Sequence, residues 1–234
     1  MKMTAHNPCI NRLLAAPTGF DLQAHRGGRG ETTEESLRAF AKAIELGVTT
    51  LELDIVLSKD GAPMVWHDPT IQPDKCTDTE PAFPGDPQYP YVGKLVHDLT
   101  QAQLHALNCG RLLSGFPAAE VVTGNKIATL GQVFALAESH RADVRYNIET
   151  KIEADKPETS ATPKQFVDVI LGAVRAANKV DKVEIQVVRV SDRLIGQLRQ
   201  SLVDEKEIYG YDRDEISNEQ GRTVGQGTMD VSGV

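Results

Sequence analysis

Between Asp21 and Leu57 the chain passes from strand to helix to strand with few connecting residues, and this compact β-α-β run restricts it to folds built on a parallel sheet. Asp21–His25 reads as the first strand and leads into a glycine-rich turn, Arg26-Gly27-Gly28-Arg29-Gly30. From Glu34 to Leu46 the residues Leu37, Phe40, Ala41 and Ile44 recur with helical spacing, and Gly47 stops the helix. Thr49–Leu57 is β-branched and alternating, as a strand should be. Asp60-Gly61 then signals a hairpin with Pro63–His67 as the returning strand. A turn centred on that dipeptide sets Ile55 against Trp66, Val56 against Val65 and Asp54 against His67.

The same alternation resumes later, with a helix over 130–140, a strand over 144–150, a helix over 163–178 and a strand over 182–187. Between them, Ile71 to about Lys126 is rich in Pro, Gly and Asp and carries one short helix, Thr100–Asn108. It reads as an elaborated surface loop or lid that leaves the His67 strand at the mouth of the site. The architecture is α/β, either doubly wound or a barrel. His25, Glu52 with Asp54, and Glu149 all fall at the C-terminal ends of strands, where barrel enzymes keep their active sites.

A chain of 234 residues, 40% of them hydrophobic, can bury one sizeable core, so a single domain over 1–234 is expected. Its net charge of -8 argues against a nucleic-acid partner, which needs clustered Lys and Arg, and favours a small substrate. No apolar stretch approaches the roughly 20 residues of a membrane span. Residues 1–20 lack the apolar region of a secretory signal, which places the chain in the cytoplasm unless an upstream signal directs it to the periplasm or outside. Cys9, Cys76 and Cys109 lack the paired short spacing of a zinc or redox motif and read as free thiols.

Glu52 and Asp54 are two apart on a strand, so their carboxylates share one face while Leu51, Leu53 and Ile55 take the other. Two adjacent carboxylates need a positive charge between them. A divalent cation with oxygen ligands, Mg²⁺ or Ca²⁺, would supply it; so would a Lys or Arg on a solvated face. Asn147-Ile148-Glu149-Thr150-Lys151 repeats the pattern and adds a third carboxylate beside an ammonium that could meet a phosphate oxygen. His25 and His67 each close a strand, and imidazoles flanking a metal could serve as base and acid, although a strand-end histidine can also be structural. Arg26, followed by Gly27-Gly28, could approach an anion where the backbone is uncrowded.

Taken in order, His25-Arg26-Gly27, Glu34 and Ser36 ahead of Leu37 and Phe40, Glu45-Leu46-Gly47, Leu51-Glu52-Leu53-Asp54, Lys59-Asp60-Gly61, His67-Asp68 and Asn147-Ile148-Glu149-Thr150-Lys151 resemble the glycerophosphodiester phosphodiesterase family. The resemblance is dense over 21–72 and thinner over 126–186. It implies a TIM-type (β/α) barrel that cleaves glycerophosphodiesters into glycerol 3-phosphate and an alcohol. On that pattern Glu52, Asp54 and Glu149 hold a divalent metal, Mg²⁺ or Ca²⁺. His25 and His67 act as acid and base, and Arg26 and Lys151 bind the substrate phosphate. A related lipid phosphodiesterase of the sphingomyelinase D kind, or an inactive truncated barrel, would share these motifs.

Two departures from the family pattern stand out. Where the family has Pro-Glu-Asn-Thr, this chain has Thr33-Glu34-Glu35-Ser36, so an amide becomes an acid. After Gln186 the expected Ser-Phe is replaced by Val187-Val188, and Gly210–Val234 lacks useful periodicity. The expectation is a barrel incomplete at its C-terminus, with a frameshift near Gln186 and a disordered segment over 212–234.

Overall fold

The computed structural model describes residues 20–153, 155–187 and 227–230. Its elements are β1 (Gln23–Ala24), α1 (Leu37–Glu45), β2 (Thr50–Leu57), β3 (Pro63–Val65), α2 (Gln101–His105), α3 (Leu130–Ser139), β4 (Arg145–Thr150), α4 (Pro163–Ala176), β5 (Val183–Val187) and β6 (Gly227–Asp230). β1, β2, β4 and β5 run parallel and adjacent in that order, with β3 antiparallel on β2 and β6 antiparallel on β5. The α/β architecture with a mainly parallel sheet is therefore present. In a parallel barrel the strand beyond β5 would itself be parallel; here β6 holds that edge in the opposite sense. Apart from 227–230, which form this strand where disorder was expected, the atypical tail lies outside the described residues.

The helices begin where side chains satisfy the free amides of their first turn. Ser36 accepts from the Ala39 amide at 3.0 Å, so α1 starts at Leu37 and leaves Glu34 and Glu35 outside the helix. Thr100, Thr129 and Thr162 each form a reciprocal capping box with a glutamine three residues on. β2 is buried along its whole length, as expected of a central parallel strand covered on both faces. Its odd positions Leu51, Leu53 and Ile55 pack with Phe40, Phe134 and Phe166 into the main core. That frees the even positions, Glu52 and Asp54, for the opposite face.

The hairpin does not take the expected register. Its strands pair Ile55 with Val65, Val56 with Met64 and Leu57 with Pro63, one residue off. The reason is the turn. Ser58 N donates to Ala62 O at 3.0 Å and closes a three-residue loop, Lys59-Asp60-Gly61, with Gly61 at φ +80°. Such a loop ends on a left-handed residue, a conformation open to glycine at no steric cost. Trp66, whose amide donates to Asp54 O at 3.0 Å, is therefore the residue across from Asp54. His67 lies one step past it.

Segment 71–126 is more than a surface loop. Ile71, Tyr91, Val96, Leu99, Leu104 and Leu107 are wholly buried and build a second core against Val56, Met64 and Trp66 of the hairpin. Within it the Tyr91 hydroxyl donates to Asp86 at 2.7 Å and accepts from the Ala82 amide at 2.7 Å. The free-thiol expectation fails for two of the three cysteines, because this packing brings Cys76 and Cys109 together in a disulfide. With a sequence separation of 33 residues the crosslink stabilises by about 3–4 kcal/mol in the chain-entropy view. Cys9 lies outside the described residues.

Candidate active site

Parallel pairing of β2 with β4 sets Glu52 beside Asn147 and Asp54 beside Glu149. Carboxylate oxygens of Glu52, Asp54 and Glu149 consequently lie within 4.8 Å of one another, with Glu52 and Asp54 buried. At that range each like-charged pair repels by roughly 3 kcal/mol at an effective dielectric of about 20, so the cluster needs positive charge. Burial, then the charges of Asp54 and Glu149, push the Glu52 carboxyl up to about 7, against a hydrogen bond from the Arg26 amide at 2.6 Å.

Two basic side chains reach the cluster. Lys151 pairs with Asp54 at 3.0 Å and also with Glu149, and Arg26 Nε lies 3.0 Å from Asp54 Oδ2. The Arg26 approach is Coulombic without being a directed hydrogen bond, for neither Arg26 Nε nor Asp54 Oδ2 has a hydrogen-bond partner. A buried carboxylate oxygen left without a donor, beside two more carboxylates, is a donor set that fits a hard divalent cation. Arg26 is itself buried, on a left-handed turn at φ 52° that Gly27 and Gly28 continue. A Cβ at Gly27 would meet Ala39 and Phe40 at 3.0 Å, so only glycine lets α1 pack this close to the turn.

His25 opens that turn directly after β1. Burial, together with the charges of Arg26 and Arg29, holds its imidazole below the ordinary histidine range. His67 follows β3, and its Nδ1 lies 2.9 Å from Asp68 Oδ1. The structure thus brings Glu52, Asp54, Glu149, Arg26 and Lys151 into direct contact, whereas His67 joins them through intermediates.

Those intermediates escaped the sequence reading. Glu34 accepts from Arg26 at 3.4 Å and forms ion pairs with Arg29 Nε at 2.9 Å and Lys75 at 2.7 Å, and Lys75 also reaches Asp68 at 2.5 Å. Glu34 stood in the motif without a role, and nothing near Lys75 in the sequence signalled one. Residues 111–120 of the insertion form one wall of a groove whose other wall is Arg29 and Thr32–Glu34, with the Arg29 guanidinium 4.7 Å over the Phe116 ring.

The acid that replaces the family's amide is also explained. Glu35 is buried at φ 57°, and its Oε1 accepts from the Asp54 amide at 3.2 Å. Burial, then the charges of Asp54 and Glu34, raise its pKa well above the usual carboxylate range. Because the folded pKa lies above the unfolded one, stability falls as pH climbs past about 4.3, where the unfolded chain releases the proton and the folded chain keeps it. Glu35→Gln is thus expected to raise Tm by a few °C at pH 8 in EDTA-treated protein and to change it little at pH 4. Equal shifts at both pH values in thermal melts would contradict the raised Glu35 carboxyl.

Residues 25–200 match the model of the glycerophosphoryl diester phosphodiesterase family, a span that runs past Gln186. The chain is 26% identical over 211 residues to a glycerophosphoinositol inositolphosphodiesterase of Mus musculus, covering 88% of this chain and 37% of that protein. It is 33% identical over 148 residues to glycerophosphodiester phosphodiesterase 1 of Homo sapiens, covering 62% of this chain and 38% of that protein. The chain thus spans well under half the length of these relatives. Among solved structures, a Silicibacter pomeroyi protein assigned to the same phosphodiesterases superposes with a TM-score of 0.64 at 24% identity, covering 83% of this chain and 66% of that one. An Agrobacterium tumefaciens glycerophosphodiester phosphodiesterase gives 0.53 at 19%, covering 79% and 64%. These likenesses identify the fold as the (β/α) barrel of those enzymes. The chain belongs to the glycerophosphoryl diester phosphodiesterase family.

Proposed function

We propose that the chain hydrolyses glycerophosphodiesters to glycerol 3-phosphate and an alcohol, with Glu52, Asp54 and Glu149 as ligands of Mg²⁺ or Ca²⁺ and His25 and His67 as base and acid. The observation that carries this reading is the convergence of three carboxylates within 4.8 Å between Arg26 and Lys151, a cation site with anion-binding groups at its rim. When bound, the cation would act as a Lewis acid toward the phosphate and the neighbouring glycerol hydroxyl.

The remaining chemistry falls to the side chains. His25, its imidazole pushed down by burial and by the charges of Arg26 and Arg29, is suited to take the proton of the attacking glycerol hydroxyl. Asp68 holds Nδ1 of His67, leaving Nε2 to face the departing oxygen. The hydroxyl oxygen bonds to phosphorus; the bond to the alcohol oxygen breaks with its electron pair, and that oxygen takes the His67 proton. Water then opens the cyclic ester with the two histidines in exchanged roles, yielding glycerol 3-phosphate. Arg26 and Lys151 steady the phosphate charge. The packing of the insertion against Arg29 and Thr32–Glu34 supports a part for it in shaping the alcohol side of the site. The Cys76–Cys109 disulfide favours a secreted or periplasmic setting over the cytoplasm, where thiols are kept reduced.

The deciding experiment is enzymatic release of glycerol 3-phosphate from glycerophosphocholine, with Mg²⁺ or Ca²⁺ and with EDTA. Cation-dependent release supports the proposal. Turnover of lysophospholipid alone would replace it with the sphingomyelinase D reading, and no turnover of either would leave a non-catalytic barrel.

A further inference from the structure

Lys75 sits in the insertion, seven residues past Asp68 and outside every motif the sequence offered, yet its side chain is only 12% exposed. Its ammonium lies 2.7 Å from Glu34 Oε1 and 2.5 Å from Asp68 Oδ2, and 5.2 Å from the centre of the Trp66 ring. Burial alone would lower its pKa; hydrogen bonds to Asp68 and Glu34 outweigh that and raise it, so the charge is kept. Asp68 is likewise held ionised, its carboxyl well below the usual range because His67 and Lys75 outweigh its burial.

The backbone of Lys75 is equally constrained. Its carbonyl accepts from the Arg111 amide at 3.3 Å, and the next residue, Cys76, is crosslinked to Cys109. Thr77 pairs with Asn108 just beyond. A long flexible side chain needs such an anchored base if its tip is to fix anything else. Here the tip fixes Asp68, and Asp68 fixes the His67 ring. Glu34, tied to Arg26 and Arg29, supplies the second point that keeps the ammonium from swinging away.

We propose that Lys75 is a positioning residue for the reaction, holding Asp68 so that His67 aims Nε2 at the departing oxygen. The insertion thereby becomes part of the catalytic apparatus. This inference rests on the assignment of His67 as the acid, and the experiment separates the two. A proton donor matters when the departing group is an alkoxide and hardly matters when it is a stable phenolate.

Lys75→Met, Lys75→Arg, Asp68→Asn and His67→Ala would each be assayed on glycerophosphoglycerol and on the 4-nitrophenyl ester of glycerol 3-phosphate, with thermal melts and metal titrations as controls. Lys75→Met is expected to lower the first-turnover rate of alcohol release from the alkyl substrate by roughly 10²-fold, the scale of loss from a misplaced catalytic group, and to change first-turnover nitrophenolate release, which precedes opening of the cyclic ester, little. Asp68→Asn should follow the same pattern, and Lys75→Arg should recover most of the alkyl rate because a cation still bridges the two carboxylates. Equal losses on both substrates in Lys75→Met, or no loss, would overturn the inference while a leaving-group effect in His67→Ala keeps the acid assignment. Absence of that effect in His67→Ala would overturn the assignment and the inference with it.

Discussion

Asp54→Asn is expected to abolish measurable binding of Mg²⁺ or Ca²⁺ and to reduce glycerol 3-phosphate release by roughly 10³-fold or more, since a bound cation supplies several kcal/mol of transition-state stabilisation. Asp54 is the most exacting of the three carboxylates to replace. It is 1% exposed, it lies between Arg26 and Lys151, and its Oδ2 has no hydrogen-bond donor. Glu52→Gln and Glu149→Gln should weaken cation affinity and activity together. The Glu52 carboxyl, at about 7, adds a pH signature: protons compete for the site, so wild-type affinity should decline as pH drops below that value and hold above it. Isothermal titration against either cation from pH 5.5 to 8.5 measures this directly. Lost activity with unchanged affinity in all three variants would remove the carboxylates from the cation site.

His25→Ala and His67→Ala carry the second large effect. Each should lower kcat on glycerophosphodiesters by about 10²–10⁴-fold, the usual worth of a positioned acid or base, while cation affinity stays near wild type. The reason for expecting separate effects is geometric. His25 and His67 are outside the carboxylate cluster, one on the turn after β1 and the other tied to Asp68. Near-normal turnover in either variant, measured at saturating cation, would return that histidine to a structural role. Weakened cation binding in either would instead make it a ligand.

Local patterning made the carboxylate face legible. A period of two placed Glu52 with Asp54 and Asn147 with Glu149, and parallel pairing then needed only adjacency of β2 and β4 to join them. Contacts of long sequence range were another matter. The second core brings Ile71, Leu104 and Ile127 together with no helical or strand period to announce it, so a Pro-rich stretch read as a loop and its cysteines as unpaired. Lys75 was invisible for the same reason: its partners are set by how that core folds back on the hairpin. Glu35 shows a different limit. Its sequence said acid, and only burial beside Asp54 and Glu34 reveals how strongly its carboxyl is pushed up.

The three-residue turn at Lys59-Asp60-Gly61 also bears on how such a chain can change length over time. Side chains alternate across a strand, so adding or deleting one turn residue would exchange the faces of everything from Met64 to Trp66. Met64 and Trp66 would leave the second core, Val65 would leave the main one, and His67 would be carried round with them. Changes of even number preserve the faces but still displace His67 along the strand. Keeping this turn at three residues is therefore one way the chain holds these faces, and with them the position of His67.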